Sequence, residues 1–382
     1  MENQVALEDE NNVRPVYLAF ELSRKKWKLG FSDGRGSPVR EVSIAAGDLE
    51  ACRREIEKAR GKFGLEATAP VWSCYEAGRE GFWVHRALEQ MGIENKVVDA
   101  SSIEVNRRQR RAKTDRMDVK KLVRQLIRYW RGERDVWSVV RVPDPEAEDR
   151  RQLHRGLEVL KQERTQHRVR IQSLLFTHGI DGKVSPKFLE KLERLRCWNG
   201  SPIPAWLKQR IHDEYDRLQL VEVQIREVQQ KQIEQLKAGC DNVAAEKVRR
   251  LQQLIAIGRG SSWIFVMELF GWRQFRNRRE VAGAVGLTPT PYDSGDSQRE
   301  QGISRSGNRR IRKLLIEIAW LWLRFQPDSK LSRWYRQRFA KAGKRMRRIG
   351  IVAMARRLVI DLWRYLECGT VPEGARLRTS VA

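Results

Sequence analysis

The chain is poor in the residues that most often announce chemistry. Its 382 residues include only five cysteines and five histidines. Cys52, Cys74, Cys197, Cys240 and Cys368 stand singly, with no Cys-x-x-Cys pair and no histidine at zinc spacing, which argues against both a zinc module and a disulfide framework. The histidines are equally dispersed, and none is assigned a catalytic role. No apolar run approaches the roughly 20 residues of a membrane-spanning helix, and Met1 to Asn12 is polar and acidic, unlike a signal peptide. A cytoplasmic, nucleoid-associated protein without a membrane partner is expected. The phosphate-cradling P-loop is also missing. Acid is the minority charge: 75 Lys and Arg against 49 Asp and Glu give a formal net charge of +26 and a pI of about 10.3. Such a surface releases counterions from a polyphosphate, so nucleic acid is the expected partner. The length leaves room for two or three domains with proper cores, which disfavours a small basic binder.

Against this basic background a few acids stand out by position. Lys113-Thr114-Asp115-Arg116-Met117-Asp118 places two carboxylates three residues apart, a spacing that shares one helix face if a helix continues through Leu122, Val123 and Leu126. Glu21 and Glu76 each end a short apolar run. Asp115 alone also suits the first turn of a helix capped by Thr114. Strands are predicted over Val16 to Leu22, Lys26 to Phe31 and Val39 to Ile44, then a helix over Asp48 to Arg60. A strand over Val71 to Tyr75, a helix over Glu80 to Met91 and a short strand over Lys96 to Val98 follow. This βββαβαβα order is that of a ribonuclease-H-like fold, with the first strand in mid-sheet. It would bring the four acids toward one divalent cation, Mg2+ or Mn2+, which takes hard oxygen ligands and a phosphate oxygen.

Pro143-Asp144-Pro145 marks a boundary. Glu146 to Phe176, and a second stretch carrying Ile211, Tyr215, Leu218, Val221, Ile225 and Val228, predict two long helices in a coiled coil, paired within the chain or between chains. Further on, Ile257-Gly258-Arg259-Gly260 before an apolar run suggests a helix-hairpin-helix turn whose amides, at Gly258 and Gly260, could receive a phosphate. Ser294, beside Gly295, reads as a loop serine ahead of a cationic helix. Arg299, Arg305, Arg309, Arg310 and Arg312 are available to phosphate, as are Lys113, Arg116, Lys344 and Arg345. Asp293-Ser294-Gly295 is equally a good turn. Trp320, Trp322, Trp334, Tyr335, Trp363 and Tyr365 lie among basic residues, at a helical spacing that suits a core as well as base stacking.

Taken together, Lys113 to Asp118, Gly286-Leu287-Thr288-Pro289 leading to Ser294-Gly295, and Ser304 to Leu315 resemble the bridge-RNA-guided DEDD transposases of the IS-one-ten insertion-sequence family. The similarity continues through Gly343-Lys344 and Ile351 to Leu366 and covers nearly the whole chain. The resemblance implies an α/β plus α architecture: a RuvC-like nuclease domain over 1–142, a helical coiled-coil region over 143–250, and a mostly helical transposase domain over 251–382. It further implies a metal site of Glu21, Glu76, Asp115 and Asp118, with Ser294 as the nucleophile that links covalently to DNA. Glu21 departs from the family's usual Asp, and Asp296 stands where a second glycine is common, which leaves Ser297 as the other candidate nucleophile. Implied partners are element-end and target DNA, a structured noncoding guide RNA, and further copies of the chain in a dimer or tetramer, in a bacterial or archaeal cell. Two alternatives stay open at this stage: a metal-only nuclease of Holliday-junction-resolvase type, and a nucleic-acid-binding protein without activity.

Overall fold

The computed structural model describes residues 14–103, 115–238, 243–294 and 297–378, with backbone alone at 101, 115–118, 238, 290–294 and 297–301. The chain divides into two compact units, Met1–Val142 and Pro143–Ala382.

The first unit is built on β1 (Val16–Glu21), β2 (Lys26–Ser32), β3 (Arg40–Ala45), β4 (Val71–Glu76) and β5 (Glu94–Val98). They form one mixed sheet in the order β3-β2-β1-β4-β5, with β1 at its centre. β1 runs antiparallel to β2 and parallel to β4, and β4 runs parallel to β5. A central strand covered on both faces has no use for polar alternation, which is why β1 reads as an unbroken apolar run before Glu21. Val16, Leu18 and Phe20 meet Ile56 of α1 (Leu49–Lys62) and Val84 and Leu88 of α2 (Trp83–Gln90) in one core cluster. Tyr17 and Ala19 join Leu122, Val123 and Leu126 of α3 (Asp115–Trp130) on the other face.

Asp48 caps α1 as its position before the helix suggests, accepting from the Ala51 amide at 2.8 Å. The helix expected from Glu80 starts instead at Trp83, because Gly81 sits at φ 71°, a left-handed conformation that ends the preceding turn. Gly30 has a different role. A Cβ there would lie 2.8 Å from Val119 Cγ1, so the missing side chain is what lets α3 settle onto β2.

The second unit opens on α4 (Pro145–Asp149) and α5 (Gln152–Phe176), two helices where one continuous helix from Glu146 was expected. Asp144 caps α4 and Arg150 closes it. After the short α6 (Phe188–Leu192), the 34-residue α7 (Ala205–Ala238) returns along α5. Leu157 packs with Val221 and Ile225, whereas Ile171 and Leu175 pack with Ile211, Tyr215 and Leu218, so the pair is antiparallel and joined within one chain. Glu214 of α7 accepts from His167 at 2.7 Å and pairs with Arg170 at 3.3 Å. Burial pushes its carboxyl up, but these hydrogen bonds outweigh it and hold the group below its ordinary range.

The remaining elements are α8 (Val243–Gln253), α9 (Arg259–Phe265) with a π-helical turn (Val266–Phe270), α10 (Arg278–Ala284), β6 (Pro289–Ser294), β7 (Ser297–Ile303), α11 (Arg309–Phe325), α12 (Lys330–Phe339) and α13 (Lys344–Cys368). Trp263, Phe265, Phe270, Trp322, Met354 and Leu358 anchor their shared core. Trp322 is fully buried, and its indole N–H donates to Ser329 Oγ at 3.0 Å, which removes the cost of burying that polar atom. No helix among the described residues is long and apolar enough to cross a membrane.

Candidate functional site

Glu21 ends β1 and Glu76 ends β4, and the parallel register pairs Phe20 with Tyr75 immediately before them. The two glutamates therefore occupy adjacent positions at the carboxyl edge of the sheet. Both follow residues of the face that packs against α1 and α2, so strand alternation sends both to the face covered by α3. Glu21 is half-buried and Glu76 exposed. Trp130, the last residue of α3, stacks on Trp72 near the start of β4 at 4.3 Å, and Val119 meets β2 at Gly30, opposite Ala19 of β1. α3 thus runs against the direction of β1 and β4, and its first turn, with Asp115 and Asp118, starts at the edge where both strands end. The side chains of Asp115, Arg116 and Asp118 lie outside the described residues, as does the whole of Lys113. Among described residues no group of three or more His, Cys, Asp or Glu is arranged to hold a metal.

The donor chemistry at this edge is uniform. Glu21 and Glu76 offer hard carboxylate oxygens, with no sulfur or imidazole among the acids assigned here, which is the set that Mg2+ or Mn2+ takes. Lys28, opposite Glu21 on β2, is held by Glu41 at 3.0 Å, and Lys120 of α3 holds the same carboxylate at 3.1 Å. Burial raises the Glu41 carboxyl, and the two lysines outweigh it and lower it. Asp99, one residue beyond Val98, which pairs with Glu76, stands at the same edge and was not among the acids singled out from sequence.

In the second unit Ser294 is the last residue of β6, paired across the hairpin with Ser297, the first of β7. The expected loop serine is therefore a strand-end serine, because β6 and β7 stay paired up to it. The two candidate serines face one another across Gly295 and Asp296, which lie outside the described residues. Arg299 lies on β7, opposite Tyr292.

The hairpin's root is tightly built. Ser304 N donates to Thr288 O at 2.9 Å, Arg305 N to Gly286 O at 3.2 Å and Asn308 N to Ala284 O at 3.0 Å. A Cβ on Gly286, at φ 65°, would come 1.8 Å from Ser306 O, and one on Gly307, at φ 76°, would come 2.3 Å from Ala284 O. Two glycines therefore let two backbones touch where no side chain fits. Arg312 donates to Val285 O at 3.2 Å and to Ser306 O at 3.0 Å, so its guanidinium is engaged in holding this root. Arg310 pairs with Glu158 of α5 at 2.8 Å, while Arg305 and Arg309 are exposed. Lys344 and Arg345 are exposed in the first turn of α13. Gly258 caps α9 and Gly260 lies in its first turn; both are exposed, and a Cβ on either would meet nothing.

Beneath the root lies a cluster that sequence did not reveal. Glu268, 1% exposed, accepts from His154 Nε2 at 2.8 Å, from Arg155 Nε at 2.8 Å and Nη2 at 3.1 Å, and from Asn308 Nδ2 at 2.9 Å. Asn308 also caps α11 by accepting from the Arg310 and Ile311 amides. One carboxylate so ties α5, the π-helical turn and the start of α11. The signal was there to read: Glu268 is the one charged residue in Trp263 to Phe270. Trp322, Tyr335 and Tyr365, candidates for stacking, are core residues, whereas Trp320 is exposed.

The profile of the Transposase IS116/IS110/IS902 family matches residues 248–336, which include the glycine-bound root and the whole hairpin. The protein y4rJ of Sinorhizobium fredii, named as a transposase, is 40% identical over 377 residues, 95% of each chain. The transposase for insertion sequence element IS1328 of Yersinia enterocolitica is 24% identical over 57% of this chain and 63% of its own. That for element IS1111A of Coxiella burnetii is 30% identical over 35% and 36%. The chain is a transposase, an enzyme of DNA recombination. It belongs to the IS116/IS110/IS902 family.

Proposed function

We propose that this transposase cuts and rejoins element-end and target DNA with two sets of groups: Glu21, Glu76, Asp115 and Asp118 on an RNase H-like, RuvC-like scaffold, and the hydroxyl of Ser294. The reading is carried by the adjacent placement of Glu21 and Glu76 at the strand ends where α3 begins. Glu21, Glu76, Asp115 and Asp118 would hold Mg2+ or Mn2+, which when bound would polarise the scissile phosphate and offset its charge.

Ser294 Oγ attacks phosphorus, a P–O bond to the leaving strand breaks, and the serine proton departs to solvent or a nearby base. The phosphoserine ester keeps the bond's energy. A second strand's hydroxyl then attacks the same phosphorus and releases the serine, so no ATP is consumed. Arg299 on the hairpin, with Arg305 and Arg309 just beyond it, neutralises the phosphate as its charge grows. The net charge of +26 supports engagement of a structured guide RNA beside DNA, and the chain acts in the cytoplasm as a dimer or tetramer over domains 1–142, 143–250 and 251–382.

The test is a suicide DNA substrate bearing an element end, incubated with Mg2+ and the element's flanking RNA. A covalent protein–DNA band is expected for the wild type and for Ser297→Ala. It is lost in Ser294→Ala, and Asp118→Ala abolishes cutting. Cleavage and rejoining by Ser294→Ala would replace this reading with that of a metal-only nuclease.

A further inference from the structure

A cleft of about 580 Å³ opens between α12, α13 and the segment after α13, within the size range of small-ligand sites. Arg278, Lys330, Trp334, Arg357, Asp361 and Arg364 line it. The Arg357 guanidinium lies 4.0 Å over the Trp334 ring, a flat platform with its outer face turned away from the indole. Lys330 is held by Glu373 at 2.6 Å. Among described residues neither Arg278 nor Arg364 has an ion-pair partner.

Asp361 is the anomaly. It is half-buried in the cleft wall, yet among described residues it accepts no hydrogen bond and forms no ion pair. Burial raises its pKa while Arg364, Arg357 and Lys330 oppose the rise. A half-buried carboxylate with no protein donor is left to water, which the donors of a ligand can replace. Its charge excludes a phosphate from that spot, and the surrounding cations exclude a Lys or Arg side chain. The ligand must bring a neutral edge of donors to Asp361, a flat face to Arg357, and an anion to the arginines at the rim.

We propose that this cleft takes up one unpaired guanine nucleotide of a nucleic-acid strand, with the base on the Arg357–Trp334 platform, its N1–H and N2–H donating to the two Asp361 oxygens, and its phosphate against Arg278 and Arg364. Guanine is the base whose pairing edge offers two adjacent donors to a two-oxygen acceptor. Adenine and cytosine offer one donor beside an acceptor, which would face the carboxylate with a lone pair. The proposal rests on the chain's action on nucleic acid, but it concerns base choice in binding, which is measured without any cleavage.

The experiment is fluorescence anisotropy of the full-length protein with labelled pentanucleotides of uridine carrying a central guanine, adenine or hypoxanthine, in RNA and in DNA form. The guanine oligomer should bind about tenfold more tightly than the adenine one, the discrimination expected of a bidentate contact. Hypoxanthine, without the N2 amine, should lose most of that advantage. In Asp361→Asn the guanine preference should vanish while affinity for the adenine oligomer stays within about twofold, with Asp361→Ser as the second variant and thermal unfolding confirming the fold of each. Both sugar forms should show the preference, because the base edge is common to them. Free guanosine monophosphate should compete at least about tenfold less well than the unlabelled guanine oligomer; equal competition would overturn the assignment to a strand. Equal binding of guanine and adenine oligomers, or a preference that survives Asp361→Asn, would overturn the site.

Discussion

Replacing Glu268 by alanine should cost more than any other single change to a charged residue in the second unit. The carboxylate accepts four hydrogen bonds, at 2.8, 2.8, 3.1 and 2.9 Å, and its side chain is 1% exposed. Truncating one partner of a buried charged pair costs about 3–5 kcal/mol, because the other partners are left desolvated. Here the figure belongs at the low end. The Arg155 side chain is 32% exposed and can recover water, while that of His154, at 3%, cannot. A loss of about 3 kcal/mol is therefore expected, which at a slope of about 3 kcal/mol per molar lowers the urea midpoint of this unit by roughly 1 M.

The pH dependence follows from the same contacts. Burial pushes the Glu268 carboxyl up, but hydrogen bonds from His154, Arg155 and Asn308 outweigh it and hold the group well below the usual carboxylate range. A group lowered by folding contributes stability above its unfolded pKa, near about 4.3, and loses it as pH falls toward the folded value. The gap between wild type and Glu268→Ala should thus be full at pH 7 and shrink below about pH 4.3. Hydrogen exchange in peptides spanning Arg278–Phe325 would place the loss at the hairpin root. A deficit under about 1 kcal/mol at pH 7, or one unchanged at pH 3, would refute the reasoning.

Gly286→Ala should lower stability by about 2 kcal/mol or more, since it adds both a left-handed alanine and a carbonyl clash; thermal unfolding checks it. Arg310→Ala should change stability by less than about 1 kcal/mol despite its 2.8 Å ion pair with Glu158, because both side chains are more than two-fifths exposed and water screens them. Gly30→Ala should cost about 1–3 kcal/mol by pressing on Val119, and should also reduce cleavage if α3 carries the proposed metal ligands Asp115 and Asp118; a variant that is destabilised but cleaves normally would count against that role. Under native conditions iodoacetamide should label exposed Cys368, while Cys52, whose thiol burial pushes up to about 12, and fully buried Cys74 should react only after denaturation, as mass spectrometry would report.

Local chemistry made much of the first unit readable from its residues. Strand β1 shows itself as an apolar run closed by Glu21, Asp48 caps the helix it precedes, and the three-strand opening followed by alternating helix and strand is the order observed. Boundaries went wrong where backbone geometry rather than hydrophobicity decided them: Gly81 delayed α2, and the break at Arg150 split one expected helix into α4 and α5. The hairpin was missed because Asp293-Ser294-Gly295 has good turn chemistry, and only pairing with β7 makes Ser294 a strand residue.

The amino-acid order by itself determined the net charge of +26, the isolation of every cysteine, the candidate acids and the helical spacing of α5 and α7. Each of these depends on composition or on neighbours a few residues apart. Tertiary structure alone decided that α5 and α7 close on each other within one chain, that Glu268 meets His154, Arg155 and Asn308, and that Asp361 faces a cleft without a protein hydrogen-bond donor. Those facts join residues 40 to 114 positions apart in the case of Glu268. Such contacts are set by strand register and by which helix faces meet, and no local pattern encodes either.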